Sequence, residues 1–311
     1  MNKSWIGIDV AEQTLQVHIK PQNEDFSVQN DEQGISQLLQ KMKTLNPELV
    51  VLEATGGLER MVFSVLAGAG FGVARINPRQ ARNFARAIGQ EAKTDKIDAQ
   101  MLARYAEAVK PTPRRLSDAQ TSELAELTDR RRQIVNMLTS ERNRLRRAVG
   151  FVKTHIEAHI VWLENERGDI EEQVTGCIQN SNIWKELDDI YQSCSGVGQV
   201  VSSTLLTHLP ELGQVNAKQI AALVGLAPMN RDSGYFHGKR RIFGGRKIVR
   251  CALYMAAVSA VHFNSVIRTF YQRLLDIGKS KKAAMTAAAR KLLVILNAMA
   301  RTKQSWRTMS V

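Results

Sequence analysis

The sequence is poor in cysteine and has no long apolar run. The three cysteines, Cys177, Cys194 and Cys251, lie far apart and form no Cys-x-x-Cys pair, so neither a disulfide framework nor a zinc site is expected. The longest apolar runs, such as Leu292 to Leu296, are too short to cross a bilayer. The N-terminus lacks the regions of a signal peptide. We therefore expect a cytoplasmic protein without a membrane partner.

Acidic residues are scarce relative to basic ones. The 43 lysines and arginines exceed the 30 aspartates and glutamates, which gives a net charge of +13. Lys110 to Arg147 contains ten basic residues against five acidic ones, and Pro228 to Arg250 contains seven against Asp232 alone. A polyanionic partner is expected, and nucleic acid is the commonest one. An anionic membrane or a solvated surface would also fit the charge by itself.

The first hundred residues alternate between strand and helix patterns. Apolar or alternating runs predict strands at Trp5–Val10, Thr14–Ile19, Phe26–Val28, Leu49–Leu52 and Gly72–Ile76. Helical spacing predicts helices at Ile35–Leu45, at Leu58–Ala67 and from Pro78 onward. The order β-β-β-α-β-α-β-α predicts an α/β domain over residues 1–110, in which the later strands pair in parallel.

Proline and glycine are absent from Ser117 to Val149, just after a proline-containing break at residues 110–113. Apolar residues in this stretch and again from Ile156 to Cys177 step by three, four or seven, which predicts two long helices with heptad packing. The heptad pattern fits helices that pack on each other and helices that pack on a second subunit. We expect a central helical coiled-coil segment at 111–190 and a mainly α-helical C-terminal domain at 191–311.

Two acidic residues stand at apolar strands, and two more open a helix. Asp9 lies within the first strand and Glu53 ends the fourth, while Asp95 and Asp98 share one face of a helix start. Each has an ordinary explanation, such as a capped turn, an arginine partner or a solvated first turn. Together they supply four hard oxygen donors, which suit Mg²⁺ or Mn²⁺ rather than zinc.

The C-terminal half contains a glycine turn and a basic loop. Ser195 to Gly198 precedes a predicted helix and resembles the hairpin of a helix-hairpin-helix element, with Gly196 and Gly198 near a phosphate; an ordinary turn fits equally well. Ser233 lies in a basic loop that could activate its hydroxyl toward phosphorus. The candidate nucleic-acid contacts around it are Arg231, Lys239, Arg240, Arg241, Arg246, Lys247 and Arg250.

These motifs together resemble a known family. Gly7 to Val10, Leu52 to Gly57 and Lys93 to Ala99 resemble the DEDD transposases of the insertion-sequence one-ten family, whose N-terminal domain is RNase H-like of the RuvC type. The run from Ala227 to Ala257 resembles the same family's C-terminal transposase domain. Piv/MooV-type DNA invertases are relatives. Tyr235-Phe236-His237 departs from the family, where small or basic residues are more usual.

The resemblance implies a bacterial recombinase that cuts and rejoins DNA to move an insertion sequence. It carries over Asp9, Glu53, Asp95 and Asp98 as ligands of Mg²⁺ or Mn²⁺, and Ser233 as the nucleophile that forms a phosphoserine link. Its expected partners are donor and target DNA, a bridge RNA that guides them, and further copies of the chain in a dimer or tetramer. A nucleoid-associated location in the cytoplasm follows from that function.

Three alternatives remain at this point. A RuvC-like junction nuclease would use the four acids and a metal-activated water, without Ser233. A non-catalytic nucleic-acid-binding protein would explain the charge and the glycine turn. An actin-like ATPase also begins with an apolar strand and an aspartate, but Asp9-Val10-Ala11 lacks the glycine expected after the acid, and no phosphate-binding loop follows.

Overall fold

A five-stranded sheet forms the centre of the N-terminal part of the chain. The structure, a computed structural model, describes residues 3–92, 94–113, 119–230, 232–233, 235–238 and 240–306. The strands are β1 (Trp5–Val10), β2 (Thr14–Lys20), β3 (Glu24–Gln29), β4 (Leu49–Glu53) and β5 (Val73–Ile76). Their order is β3-β2-β1-β4-β5; β1 pairs with β4 and β4 with β5 in parallel, while β2 is antiparallel to both of its neighbours.

Four helices cover the two faces of this sheet: α1 (Glu32–Leu45), α2 (Arg60–Gly68), α3 (Pro78–Ala87) and α4 (Asp95–Val109). Because side chains alternate along a strand, Ile6 and Ile8 of β1 join the core formed with α1 and α2. Trp5 points to the opposite face, where it packs with Leu102 and Ala106 of α4. The predicted β-β-β-α-β-α-β-α order is confirmed, and the result is a three-layer mixed α/β unit.

Gly7 allows α4 to lie directly against β1. A Cβ atom at Gly7 would stand 2.1 Å from the carbonyl oxygen of Ala99 and 2.3 Å from the backbone nitrogen of Ala103. Backbone atoms of a buried helix cannot move aside as a flexible side chain can, so only glycine permits this separation.

We expect Gly7→Ala to lower the free energy of unfolding by about 3 kcal/mol, because α4 must shift away from the sheet. Chemical denaturation of the purified protein measures this. Gly168→Ala is the matched control, since Gly168 lies inside a long helix with no atom near the added Cβ; there alanine should be neutral or stabilising by about 0.5–1 kcal/mol. Equal effects of the two substitutions would contradict the close packing of α4 on β1.

The chain divides into two compact units, residues 1–117 and 118–311. The second unit begins with α5 (Ala119–Leu145) and α6 (Gly150–Gln179), which pack against each other. Leu138 of α5 and Leu163 of α6 belong to one core. The two predicted long helices are therefore confirmed, and they contact each other within one chain.

The described residues of the second unit form six further helices: α7 (Asn182–Gln192), α8 (Gln199–His208), α9 (Ala217–Val224), α10 (Lys247–Phe263), α11 (Ser265–Asp276) and α12 (Lys281–Thr302). Helical spacing in the sequence predicts helices at residues 199–209, 216–224, 246–263 and 280–300, which match α8, α9, α10 and α12; it does not predict α7 or α11. The start of α11 is hard to see because Asn264 both ends α10 and caps α11, with its side-chain oxygen accepting from Val266 N and Ile267 N. No turn composition separates the two helices.

Helix α12 is long and apolar enough to cross a membrane by length and composition alone. It packs against α7, α9, α10 and α11, and Leu292, Leu293 and Leu296 are fully buried in the core of its unit. A buried core helix passes the same length and composition test, and these contacts identify α12 as one.

The predicted basic loop is in fact a β-hairpin. Strand β6 (Pro228–Met229) pairs with β9 (Arg241–Ile242), and β7 (Asp232–Ser233) pairs with β8 (Phe236–His237), both antiparallel. Strands of two residues are too short to show an alternating pattern, so the sequence indicated only a loop. The mainly helical character of this unit is confirmed with that correction.

Candidate active site

Asp9 and Glu53 lie side by side at the carboxyl ends of two parallel strands. The register pairs Ile8 with Leu52, so the next residues along β1 and β4 are Asp9 and Glu53. Paired residues of neighbouring strands point to the same face, and Asp9 follows Trp5 and Gly7 on the face that α4 covers. Both carboxylates are partly exposed.

The first turn of α4 comes to the same edge of the sheet. Trp5 packs with Ala106, whereas Gly7 lies against Ala99 and Ala103. Helix α4 therefore runs opposite to β1, and its N-terminal turn with Asp95 and Asp98 approaches the end of β1 where Asp9 stands. Thr94 starts this helix, since its side-chain oxygen accepts from Ile97 N at 3.2 Å.

The four predicted ligands thus come from three elements that meet at one sheet edge. Asp95 is exposed, and Asp98 is partly exposed. Within the described residues, no three His, Cys, Asp or Glu side chains come close enough together to hold a metal ion. The backbone brings the four acids to one edge of the sheet. That they bind a metal ion stays a prediction.

Sequence reasoning missed Glu59, which holds the loop that follows Glu53. Its carboxylate is almost completely buried and accepts from Gly57 N at 2.9 Å, from Thr55 N at 3.2 Å and from Thr55 Oγ1 at 3.1 Å. Arg75 of β5 donates to the other oxygen at 3.0 Å. One buried acid therefore fixes residues 55–57 to the neighbouring strand. No periodicity distinguishes Glu59 from a surface acid in the sequence.

Burial by itself raises the pKa of Glu59, but the hydrogen bonds from backbone N–H groups and the charge of Arg75 outweigh it, so the pKa lies below its ordinary value. A carboxyl with a lowered folded pKa contributes stability above its unfolded pKa and loses it as the pH falls. Glu59 therefore stabilises the loop at neutral pH and releases it in acid.

We expect Glu59→Gln to lower the free energy of unfolding by about 2 kcal/mol at neutral pH, because charge-assisted hydrogen bonds are lost. The difference from the wild type should shrink as the pH falls through the lowered pKa. Denaturation curves at several pH values measure it, with Glu12→Gln, an exposed acid in the same unit, as control. A constant difference at all pH values would mean that the charge of Glu59 is not what stabilises the loop.

A second network, centred on the partly buried Asp25, joins β2 and β3 to the first turn of α4. His18 Nδ1 lies 2.7 Å from Asp25 Oδ1, and Lys96 Nζ lies 3.1 Å from Asp25 Oδ2. Gln100 donates to the same carboxylate at 3.3 Å. These partners lower the pKa of Asp25 although burial opposes them. The network anchors the helix turn that carries Asp95 and Asp98, and the sequence offered no signal for it.

Ser233 lies near the tip of the hairpin in the second unit. It is exposed and pairs with Phe236 in the ladder, and Tyr235 at the turn is fully exposed. Arg240 and Arg241, where β9 begins, are exposed, as is Lys247 at the start of α10. Two predicted contacts, Arg231 and Lys239, lie outside the described residues.

Two other predicted nucleic-acid contacts have partners within the protein. Arg246 donates to both oxygens of Glu211 at 2.5 Å and to the carbonyl of His208 at 2.9 Å. Arg250 donates to the carbonyls of Val224 at 3.0 Å and Gly244 at 2.5 Å. These guanidinium groups hold the base of the hairpin, and their part in nucleic-acid binding stays a prediction.

The glycine turn connects α7 to α8. Gly196 has φ +102°, and a Cβ there would stand 2.6 Å from the Cβ of Ala260 in α10. Gly198 caps α8 without a side chain and faces open space. Gly196 is thus needed for packing against α10, whereas Gly198 puts no side chain over the start of α8. Their contact with a phosphate stays a prediction.

Comparison with known proteins identifies the chain's relatives. A DEDD transposase model matches residues 6–152, and the model described as "Transposase IS116/IS110/IS902 family" matches residues 188–272. The pilin gene-inverting proteins of Moraxella bovis and Moraxella lacunata are each 28% identical over 317 residues, covering 97% of both chains. The uncharacterized 43.6 kDa protein of insertion element IS110 from Streptomyces coelicolor is 26% identical over 141 residues, 45% of this chain and 34% of the relative.

The two family models match in sequence order and leave residues 1–5, 153–187 and 273–311 uncovered. The first includes the strand ends and helix turn with the four acids, and the second includes the hairpin with Ser233. A chain with both parts is a DNA recombinase. This protein belongs to the IS110 family of insertion-sequence transposases.

Proposed function

We propose that the protein cuts and rejoins DNA through a covalent link to Ser233. The observation that carries the proposal is the position of Ser233, an exposed residue near the tip of a hairpin whose last strand, β9, begins at the exposed Arg240 and Arg241. Phosphodiesters are anionic, so cations on the same hairpin as the hydroxyl would attract the DNA backbone and stabilise the charge that develops at phosphorus.

In the cleavage step, Ser233 Oγ forms a bond to phosphorus and loses its proton, while the 3′ oxygen leaves and gains one. The product is a phosphoserine link to the 5′ end and a free 3′ hydroxyl. In the joining step, a 3′ hydroxyl of another strand attacks the same phosphorus, and the serine oxygen leaves with a proton. The number of phosphoester bonds is unchanged, so rejoining needs no ATP.

The four acids fit a hard divalent cation by their chemistry, since all are carboxylates gathered at one sheet edge. Asp9, Glu53, Asp95 and Asp98 would hold Mg²⁺ or Mn²⁺. When bound, such an ion supplies Lewis-acid polarisation of the scissile phosphate. The protein holds this edge of the sheet in a fixed arrangement. Glu59 fixes the loop after Glu53, and Asp25 anchors the first turn of α4 through Lys96.

We infer that the N-terminal unit is RNase H-like. Support comes from the mixed sheet with one antiparallel strand beside the central β1, and from acids at the ends of adjacent parallel strands. The division into domains at 1–110, 111–190 and 191–311, a dimeric or tetrameric assembly and a nucleoid-associated cytoplasmic location belong to the same proposal.

A plasmid assay tests the function. A donor that carries the chain's own element and a target plasmid should give joined products with intact strands at both junctions. The runner-up, a RuvC-like nuclease that activates water, predicts hydrolysed ends and no junctions. Free ends as the only product would therefore refute the recombinase proposal.

DNA inversion is a second candidate, favoured by the full-length likeness to two pilin gene-inverting proteins. The same serine chemistry inverts a segment when both sites lie on one molecule. A substrate with two element ends in opposite orientation, read by amplification across the junctions, separates inversion from transposition.

A guide RNA is the further partner that the proposal includes. A bridge RNA from the element's end would pair with donor and target DNA, and it rests on the family resemblance. Sequencing the RNA that copurifies from cells carrying the whole element tests it. The absence of a specific enriched RNA would refute the guide and leave the serine chemistry untouched.

A further inference from the structure

The turn between α5 and α6 is strongly basic. From Arg142 to Ile156 the sequence contains five lysines and arginines and no aspartate or glutamate. We name residues 142–156 the arginine turn. A helical hairpin that served only as packing would need no such one-sided charge, because like charges at one end repel each other.

The arginine turn projects beyond the core of its unit. No residue from 142 to 156 is buried. The first buried residue of α6 is Leu163, thirteen residues after the helix begins at Gly150, so roughly 20 Å of helix precedes it. The turn is therefore accessible from several directions.

Part of the charge is neutralised within the hairpin, and part is not. Arg142 pairs with Glu164 at 2.6 Å, and Arg144 pairs with Glu141 at 2.5 Å. Among the residues that the structure describes, Arg146 and Arg147 form no ion pair. Together with Arg144 and Val152 they border an open hollow of about 680 Å³. Two unpaired guanidinium groups beside an open space can receive an anionic partner.

Apolar side chains stand among these arginines. Val149 is 80% exposed and Phe151 is 78% exposed, and the ring centroids of Phe151 and His155 are 4.7 Å apart. Proteins that bind DNA combine arginines on the phosphates with apolar side chains against sugars and base edges. A second copy of this turn would bring like charges together in a two-fold contact. DNA, the substrate of the family's reaction, fits both features.

We propose that the arginine turn binds the backbone of duplex DNA, with Arg146 and Arg147 on phosphates and Phe151 against the sugars. This surface lies outside the four acids and the Ser233 hairpin, so it holds DNA without taking part in cleavage. The contact is electrostatic and independent of sequence.

The test measures how binding of a labelled duplex of arbitrary sequence depends on salt. The double variant Arg146→Ala, Arg147→Ala should weaken binding about tenfold at low salt and reduce the slope of log K against log salt by about 2, since each phosphate contact contributes about 0.9. Lys281→Ala with Lys282→Ala removes the same charge from another exposed site and should leave the slope nearly unchanged. The charge-conserving double variant Arg146→Lys, Arg147→Lys should retain most of the wild-type slope.

All proteins in this test also carry Ser233→Ala and are assayed without divalent metal, so failure of the serine or metal proposals cannot alter the result. Circular dichroism verifies that the helices are intact. An unchanged slope in the arginine double variant, or an equal fall in the lysine control, refutes the proposal. A loss of affinity for RNA but not for duplex DNA also refutes it and identifies RNA as the partner.

Discussion

Replacing Ser233 by alanine is expected to abolish the covalent protein–DNA adduct and to reduce recombination by at least about a thousandfold, as loss of an essential nucleophile does in other enzymes. The hydroxyl is exposed on β7 and does not support the core, so the variant should fold and bind DNA normally. The adduct is measured by denaturing electrophoresis after incubation with labelled donor DNA, and binding is measured separately.

Tyr235→Phe is the matched control for this experiment. Tyr235 is fully exposed two residues from Ser233 at the same hairpin turn, and its phenol is an oxygen nucleophile that could also attack phosphorus. The adduct should persist in Tyr235→Phe. Its loss there, with retention in Ser233→Ala, would make the tyrosine the nucleophile and the serine assignment wrong.

Asp9→Asn is expected to have the second large effect. Removing one carboxylate charge from the four acids at the sheet edge should reduce adduct formation by at least about a thousandfold, because a hard cation binds more weakly to an amide than to a carboxylate. The substitution preserves size, so the strand should remain paired. Adduct yield across a series of Mg²⁺ and Mn²⁺ concentrations is the measurement, with a thermal unfolding curve to confirm the fold.

Glu12→Gln is the control for charge near that edge, because Glu12 is exposed in the connection after β1. It should retain full activity and an unchanged metal requirement. The wild type could form the adduct without a divalent metal, or Asp9→Asn could still form it. Either result would show that the acids are not needed for adduct formation, and it would not contradict the role of Ser233.

The two halves of the proposal can be tested together by mixing. A hypothesis from the sequence is that the acids and the serine serve one reaction and can come from different subunits. A mixture of Asp9→Ala and Ser233→Ala proteins should then recover activity through complementary subunits. A mixture that stays inactive while its subunits demonstrably exchange would show that both groups must come from one chain.

The sequence alone determined the order of elements in the N-terminal unit, the two long helices that follow it, and the family. Apolar runs of strand length and two long heptad stretches are local signals, because they depend on the 2-residue and 3.6-residue periods of each element. The acids at Asp9 and Glu53 were visible as polar residues in apolar strands. The nucleophile assignment came from the resemblance, since Asp-Ser-Gly is an ordinary turn sequence.

Only the tertiary structure showed how distant residues meet. The pairing of β1 with β4 brings Asp9 beside Glu53, and the fit of α4 onto Gly7 brings Asp95 and Asp98 to the same edge. Glu59 and Asp25 emerged as organising acids because Glu59 pairs with Arg75 of β5, and Asp25 pairs with His18 of β2 and Lys96 of α4. Burial and pairing across the chain decide these roles, and no local pattern encodes them. The sequence therefore supplied the four acids, and the strand register with the helix contact decided that they share one edge.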